Sequence, residues 1–317
     1  MINRVTAGKT ILLLCSLFLL TVSMADAGTI VAVTRSDISQ YKLALDGFVE
    51  SCSTMDIEHN IKLVETQKYE DESQMLDDIE KLQPVLIFTI GTKAAAIVKK
   101  RFDNVPVVYS LVLDPVKTGL IENTQRSGNN FTGVHLVLSR RQQIGKIIKF
   151  APDLEKIAVI YDANISEELV SDLQNEAAEQ GLKIILKPIV THDQTLEVLK
   201  NVSKETDAIM AVPDGTVYTP GFVKHLLLFS LRNKYPVIGF SHMFAKGGAL
   251  LSLYADYEDV GRQTCDIAIK ILDGMSPSEI PSESPRSINV ALNLKVADIN
   301  GIKIPDNLIK EANDLIR

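Results

Sequence analysis

The sequence predicts an α/β protein of two doubly wound parallel-sheet lobes joined by three hinge crossings. Apolar runs with the alternation of strands are separated by amphipathic runs of helical period, which is the pattern of βαβ units. The series restarts near residue 156 with a strand that resembles the first one. Extended junctions near 133–138, 250–256 and 286–294 are where we expect the chain to cross between the lobes.

The first half of this pattern predicts four strands with helices between them. Strands are expected at 29–33, 61–65, 85–90 and 106–112, and amphipathic helices at 41–52, 71–82 and 92–101. Pro84 ends the second helix, and Gly91 turns the third strand into the third helix, for which Thr92 is the expected N-cap. Connections of this length between parallel strands are right-handed crossovers.

The second half repeats the arrangement after a turn at 128–132 and an extended piece at 133–137. Ser139 has capping-box spacing and opens a helix that reaches Phe150. Strands are expected at 156–161, 183–187, 208–212, 236–239, 250–254 and 286–292, and helices at 166–180, 193–203, 220–234 and 257–272. We therefore expect one lobe from 28–137 with 256–288 and the other from 138–255 with 289–317.

Residues 1–27 have the order of a secretory signal peptide. Arg4 and Lys9 precede an apolar run at 11–20, and Ala25-Asp26-Ala27 is a small-x-small cleavage site. An apolar core of about ten residues is too short to span a bilayer. We expect cleavage near Ala27 and a periplasmic protein, with an uncleaved anchor as the alternative.

The composition and net charge argue against several classes of binding partner. The net charge is −7 and there is no clustered basic run, which argues against nucleic acid or an anionic membrane. The five histidines are scattered, so we expect neither a metal site nor a cofactor. We expect Cys52 and Cys265 to be two buried thiols on helix faces, the alternative being one disulfide formed in an oxidising compartment.

The sequence contains no catalytic signature. Gly-x-Ser-x-Gly, Gly-x-x-x-x-Gly-Lys-Ser/Thr, His-Glu-x-x-His and Gly-x-Gly-x-x-Gly are all absent. Ser241 and His242 are neighbours at a strand end, where adjacent side chains point apart, so they do not form a nucleophile–base pair. We expect a binding protein and not an enzyme.

Small polar residues predominate after the predicted strands. Ligands of open α/β sheets bind just beyond the carboxyl ends of the strands. The residues at these ends are Ser36, Gly91, Thr92 and Asp114 in the first half and Tyr161, Asn164, Asp214 and Phe240 in the second. Thr92 either marks a helix N-terminus that receives a carboxylate or is an ordinary cap, and Asp214 either holds an ammonium group or caps a turn. The aromatic candidates for the walls of a cleft are Tyr109, Tyr161, Tyr218, Phe240 and Tyr254, although any one of them alone is more often a core residue.

Several segments together resemble one protein family. They are Thr89-Ile-Gly-Thr-Lys-Ala-Ala-Ala96, Val105-Pro-Val-Val-Tyr109, Asp114-Pro-Val-Lys-Thr-Gly-Leu120, Gly128-Asn-Asn-Phe-Thr-Gly-Val134, Pro236-Val-Ile-Gly-Phe240 and Tyr254-Ala-Asp256. Their order and spacing resemble the substrate-binding proteins of ABC transporters, a family that includes tryptophan- and other aromatic-amino-acid-binding members. The resemblance covers about 29–316. The chain departs from the family in having Leu111-Val-Leu-Asp-Pro115 where members often have Ala-Val-x-Asp-Pro, and in having Arg35 after the first strand.

This resemblance implies the type I periplasmic binding protein fold, a monomer whose two lobes close on a small ligand. It implies ligand contacts from Ser36, Gly91, Thr92, Asp114, Asn164, Asp214 and Tyr254. It also implies delivery of the ligand, an amino acid or a similar zwitterion, to an ABC permease. The alternative is a ligand-sensing subunit that presents its closed form to a membrane receptor.

Overall fold

The computed structural model describes residues 28–54 and 60–317. The predicted signal peptide lies outside the described residues. The described chain forms two sheets whose strands come from successive parts of the sequence. Among these helices, none has both the length and the apolar character needed to cross a membrane.

The first sheet has five parallel strands in the order β2-β1-β3-β4-β5. The strands are β1 (Thr29–Thr34), β2 (Asn60–Glu65), β3 (Pro84–Ile90), β4 (Val107–Val112) and β5 (Phe131–His135), and the helices are α1 (Ser39–Thr54), α2 (Glu72–Lys81) and α3 (Thr92–Lys99). Phe48 of α1 stacks on Phe88 on one face of the sheet, whereas Met75 of α2 packs on the other. The sheet is therefore doubly wound, and its chain order reverses between β1 and β3.

The second sheet has seven strands in the order β12-β11-β10-β9-β8-β6-β7. Among its described pairs only β10 and β11 are antiparallel, and β11 and β12 run parallel to each other. The strands are β6 (Lys156–Asp162), β7 (Lys183–Ile189), β8 (Ala208–Met210), β9 (Val237–Gly239), β10 (Leu251–Ala255), β11 (Ile288–Asn293) and β12 (Asp314–Ile316). The helices in this part of the chain are α4 (Arg140–Phe150), α5 (Ala163–Glu179), α6 (Thr195–Val202), α7 (Pro220–Asn233), α8 (His242–Gly247), α9 (Tyr257–Leu272), α10 (Leu294–Asn300) and α11 (Asp306–Glu311). Chain order reverses here between β6 and β8.

Helix α9 follows a strand of the second sheet but packs against α1 and the first sheet. Two glycines allow the close approach of these helices: a Cβ on Gly47 would overlap the backbone of Glu258, and one on Gly261 would overlap the backbone of Ala44. The α/β architecture with two doubly wound, mostly parallel sheets is confirmed. We call the elements on the first sheet, with α9, the first lobe and the remainder the second lobe, and we keep the residue ranges given above as proposed boundaries.

A disulfide joins the two helices that the glycines bring together. Cys52 of α1 and Cys265 of α9 are bonded, with their Cα atoms 5.8 Å apart, and both are buried. The expectation of two free thiols is therefore wrong. The pairing was hidden because 213 residues separate the cysteines along the chain.

Three local predictions are corrected by the structure. The N-cap of α3 is Gly91, and Thr92 is the first helical residue. Helix α5 begins at Ala163 instead of residue 166, because the side chain of Asp162 accepts a hydrogen bond from the N–H of Asn164 and caps it. The short helix α8 lies in a segment for which no helix was predicted, and Gly248, with φ of 119°, is its C-cap.

Candidate functional site

The polar residues predicted at strand ends lie along the carboxyl edges of the two sheets. Each edge has a point where the chain order reverses, which is where open α/β sheets bind ligands. In the first lobe this point lies between the residues after β1 and Gly91 after β3. In the second lobe it lies between Asp162 at the end of β6 and the segment after β8. The side-chain amine of Lys117, after β4, donates to the backbone oxygen of Ile165 in α5 at 2.6 Å, so the two edges approach each other.

Gly91 and Tyr41 form the centre of the first-lobe edge. Gly91 has φ of 89°, and a Cβ there would overlap the ring of Tyr41, so glycine is required for both the backbone conformation and the space. The N–H of Gly91 donates to the backbone oxygen of Ser110 at 2.9 Å. No side chain caps the first turn of α3, which leaves its amide groups and the positive end of the helix dipole available to an anion.

Ser36 lies beside a carboxylate that sequence reasoning missed. Its hydroxyl donates to Glu65 at the end of β2, and the amide of Gln67 donates to Ser36 Oγ at 2.8 Å. The ion pair with Lys68 lowers the pKa of Glu65 most, and the Ser36 hydroxyl adds to this effect. The available signal was the position of Glu65 at the end of a predicted strand, the same criterion that selected Ser36.

Asp114 starts a rigid turn after β4. Its Oδ1 accepts from the N–H of Lys117 at 2.9 Å, and its backbone oxygen accepts from the Thr118 hydroxyl at 2.8 Å. Lys99 of α3 donates to the backbone oxygens of Gly119 and Leu120, which ties the turn to that helix. We call residues 113–120 the β4 loop. Asp114 is half-buried at the edge of the sheet. The hydrogen bond from Lys117 uses its Oδ1 and not its Oδ2.

Asp214 is occupied by the protein itself. Its side chain is buried, and its Oδ2 accepts from the N–H of Asp162 at 2.9 Å and from the Ser166 hydroxyl at 2.8 Å. Its Oδ1 accepts from the N–H groups of Thr216 and Val217, each at 3.1 Å. Four donors of the protein itself therefore occupy both carboxylate oxygens. Asp214 caps its own turn and joins it to the end of β6 and the start of α5.

Tyr161 and Asn164 lie at the start of α5. The Tyr161 hydroxyl donates to the carboxylate of Glu167 at 2.8 Å, and burial first, then Glu167, raises the Tyr161 pKa to about 12. Asn164 is exposed, and both its backbone and its side-chain amide donate to Asp162 Oδ1. Asn164 is therefore accessible at the second edge, while the hydroxyl of Tyr161 is already paired.

The aromatic candidates separate into core and edge residues. The Tyr109 hydroxyl donates to Ser282, and that of Tyr218 donates to the backbone oxygen of Ile160, so both are paired inside the protein. Phe240 is half-buried after β9 with its ring 4.8 Å from that of Phe244. Tyr254, at the end of β10, donates to Asp314, which places it next to the crossing into α9.

The structure thus brings Ser36, Gly91, Thr92 and Asp114 to one edge and Tyr161, Asn164, Asp214 and Phe240 to the other. A depression of about 440 Å³ lies at the opposite, amino-terminal edge of the first sheet, with Gln83, Arg101 and Phe102 in its lining. Arg101 there is paired with the exposed Asp77 and Glu80, which is the arrangement of a solvated surface. Within the part of the chain that is described, no three His, Cys, Asp or Glu residues gather in a group that could hold a metal ion.

Two solved structures resemble the fold of this chain over most of its length. A substrate-binding protein with adhesive properties from Clostridium difficile, solved in a ligand-free, open form, has a TM-score of 0.76 and 22% identity, covering 92% of this chain and 99% of that one. An ABC domain from Streptococcus pneumonia, solved in complex with L-Trp, has a TM-score of 0.62 and 21% identity, covering 91% and 99%.

Sequence comparison agrees with the fold. A tyrosine-binding protein of Clostridioides difficile is 25% identical over 228 residues, 70% of this chain and 65% of that relative, so the match leaves about a third of the relative's length uncovered. The family model for ABC transporter substrate binding proteins matches residues 30–316. With two doubly wound lobes whose carboxyl edges approach each other, and a family match across nearly all of its described residues, this chain belongs to the ABC transporter substrate-binding protein family.

Proposed function

We propose that this protein is an exported solute-binding protein that captures an amino acid or a similar zwitterion between its two lobes and delivers it to an ABC permease. The observation that carries the proposal is the approach of two polar sheet edges, one of which has an uncapped helix N-terminus. It acts as a monomer in this proposal, with the ligand and the permease as its partners.

The first-lobe edge suits the two charged ends of such a ligand. A carboxylate fits the first turn of α3 beside Thr92, where free amides and the helix dipole favour negative charge. The ammonium group fits Asp114, which retains an oxygen at the edge, in preference to Asp214, whose oxygens are both used. Ser36 and Asn164 are exposed hydrogen-bonding groups on either side.

The side chain of the ligand is apolar or aromatic in this proposal. Leu113 and Val116 of the β4 loop and Ile165 of α5 are 49%, 40% and 44% exposed, although they are large and apolar. They lie around the Lys117 contact between the edges, and Phe240 adds a half-buried ring to the second edge. The solved relative in complex with L-Trp and the relative named as tyrosine-binding support this choice.

Capture follows from the division of the site between the lobes. A ligand that contacts both edges binds the closed arrangement more tightly than the open one, and shifts the equilibrium by that difference in affinity. The permease would then recognise the closed form. The Cys52–Cys265 disulfide supports a periplasmic location, because such bonds persist in oxidising compartments.

A thermal-shift screen of amino acids, preceded by native mass spectrometry of the mature protein, tests the proposal. We expect a bound small molecule or a rise in Tm with tryptophan, phenylalanine or tyrosine. In the double variant Thr92→Ala/Asp114→Asn, we expect binding to weaken by at least about tenfold, because a hydrogen bond to a charged group contributes roughly 1.5–3 kcal/mol.

The matched control is Asp298→Asn, which removes an exposed carboxylate from α10 and should leave the affinity unchanged. Unchanged binding in the double variant would place the ligand elsewhere. An absence of any shift across amino acids, sugars, purines and peptides would contradict the solute-binding proposal.

A further inference from the structure

We infer that Lys117 is a positioning residue that bridges the cleft and holds the two lobes within reach of one ligand. Its Nζ donates to the backbone oxygen of Ile165 at 2.6 Å, which links the β4 loop of the first lobe to the first turn of α5 in the second. The contact joins two segments that are not part of the three crossings of the chain, and it limits how far the lobes separate. Its effect on affinity rests on the proposed closure mechanism.

The β4 loop is rigid enough for such a contact to matter. Gly119 has φ of 69°, and the N–H of Leu120 donates to the backbone oxygen of Pro115 at 2.8 Å, closing the loop on itself. Lys99 of α3 holds the far end of the loop through Gly119 and Leu120. The backbone that carries Lys117 is therefore already held in place. Binding to Ile165 costs the conformational entropy of the lysine side chain, but not that of the loop.

The same loop is joined to the proposed carboxylate site. The N–H of Leu113 donates to Thr92 Oγ1 at 3.4 Å, and Asp114 accepts from the N–H of Lys117 at 2.9 Å. A ligand that contacts Thr92 or Asp114 thus acts on the segment that carries Lys117. The bridge and the ligand site are coupled through bonds of a single short loop.

The surroundings of the contact also favour a bridge of this kind. Leu113 and Val116 on one side and Ile165 on the other expose apolar surface, which is removed from water as the edges approach. The first turns of α5 carry the acidic residues Glu167 and Glu168, which attract an ammonium group. Both effects favour formation of the Lys117–Ile165 hydrogen bond.

Distance measurement between spin labels on the two lobes tests this inference without ligand. Labels attached through Lys93→Cys in α3 and Asn175→Cys in α5 report on the separation of the two lobes, since both positions are exposed. In Lys117→Met we expect the ratio of longer to shorter distances to rise about fivefold, because one hydrogen bond is lost. Lys117→Arg keeps a donor and should restore the original distribution.

The control is Lys62→Met, which removes an exposed lysine from the edge strand β2 and should leave the distances unchanged. Identical distributions in Lys117→Met and the unsubstituted protein would overturn the inference, and so would an equal change in Lys62→Met. A failed ligand screen with the expected distance change would contradict the proposed function alone. A positive screen with no distance change would contradict the bridge alone.

Discussion

His135 shows what burial does to one titratable residue at a crossing between the lobes. It is 7% exposed at the end of β5, and its Nδ1 accepts from the N–H of Val137 at 3.2 Å. Burial lowers the pKa of His135 to about 4, although the nearby charge of Asp114 acts in the opposite direction. The imidazole is therefore neutral near pH 7, and the same hydrogen bond requires its Nδ1 to be unprotonated.

This lowered pKa predicts a loss of stability in mild acid. The unfolded chain protonates His135 near its ordinary pKa of 6.5, whereas the folded protein resists protonation down to about 4, so stability falls as the pH falls between these values. The difference corresponds to roughly 3 kcal/mol. Denaturant unfolding at pH 7 and pH 4.5 should show a smaller difference for His135→Asn, whose side-chain oxygen can accept the same N–H. An equal difference in the two proteins would contradict the prediction.

The sequence identified which residues lie at the candidate site, but it could not show which of them are already paired within the protein. Ser36, Gly91, Thr92 and Asp114 were selected because they follow strands, and the structure places them on one edge. Asp214 was selected by the same criterion, yet its partners Asp162 and Ser166 are about 50 residues away in the chain. Proximity along the chain could not show that its oxygens are already satisfied.

At the scale of elements, the contact between α1 and α9 depends on two glycines. Gly261 faces the backbone of Ala44 and Phe48 with no room for a methyl group. Gly145 in α4 offers the contrast, because the nearest atom to a Cβ there is the side-chain oxygen of Gln180 at 3.5 Å, an ordinary contact. The two positions are both helical glycines, and only the packing around them differs.

We therefore expect opposite effects from the same substitution. Gly261→Ala should destabilise the protein by at least about 1–3 kcal/mol, since the helices must move apart. Gly145→Ala should stabilise it by about 0.5–1 kcal/mol, because alanine is the better helix former. Urea unfolding of both variants measures the difference, and a neutral Gly261→Ala would contradict the close packing of α1 on α9.

At the scale of the whole molecule, the disulfide closes a loop that contains most of the second lobe. Cys52 and Cys265 are 213 residues apart, and the segment between them includes every element from β2 to β10. The bond attaches α9 to the first lobe, although the chain reaches α9 from the second. The first lobe is thus held together covalently across its interruption in the sequence.

Removing the disulfide should cost about 5 kcal/mol of stability on the chain-entropy account of a loop this long. We expect the Cys52→Ala/Cys265→Ala variant to show this loss in guanidinium unfolding. Because both cysteines are buried, a reductant should reach the disulfide only after the protein unfolds. Free thiols detected by Ellman titration of the unfolded, unreduced protein would contradict the pairing.

Most of the strands and helices and the polar strand ends followed from the sequence alone, because hydrophobic period, caps and turns act within a few residues. The family resemblance, confirmed by the match over 30–316, rests on the same local segments. The tertiary structure decided the Cys52–Cys265 bond, the burial of Asp214 and the bridge from Lys117 to Ile165. Each of these joins residues that are distant in the chain, and their contact is set by how the helices and sheets pack and not by the residues beside them.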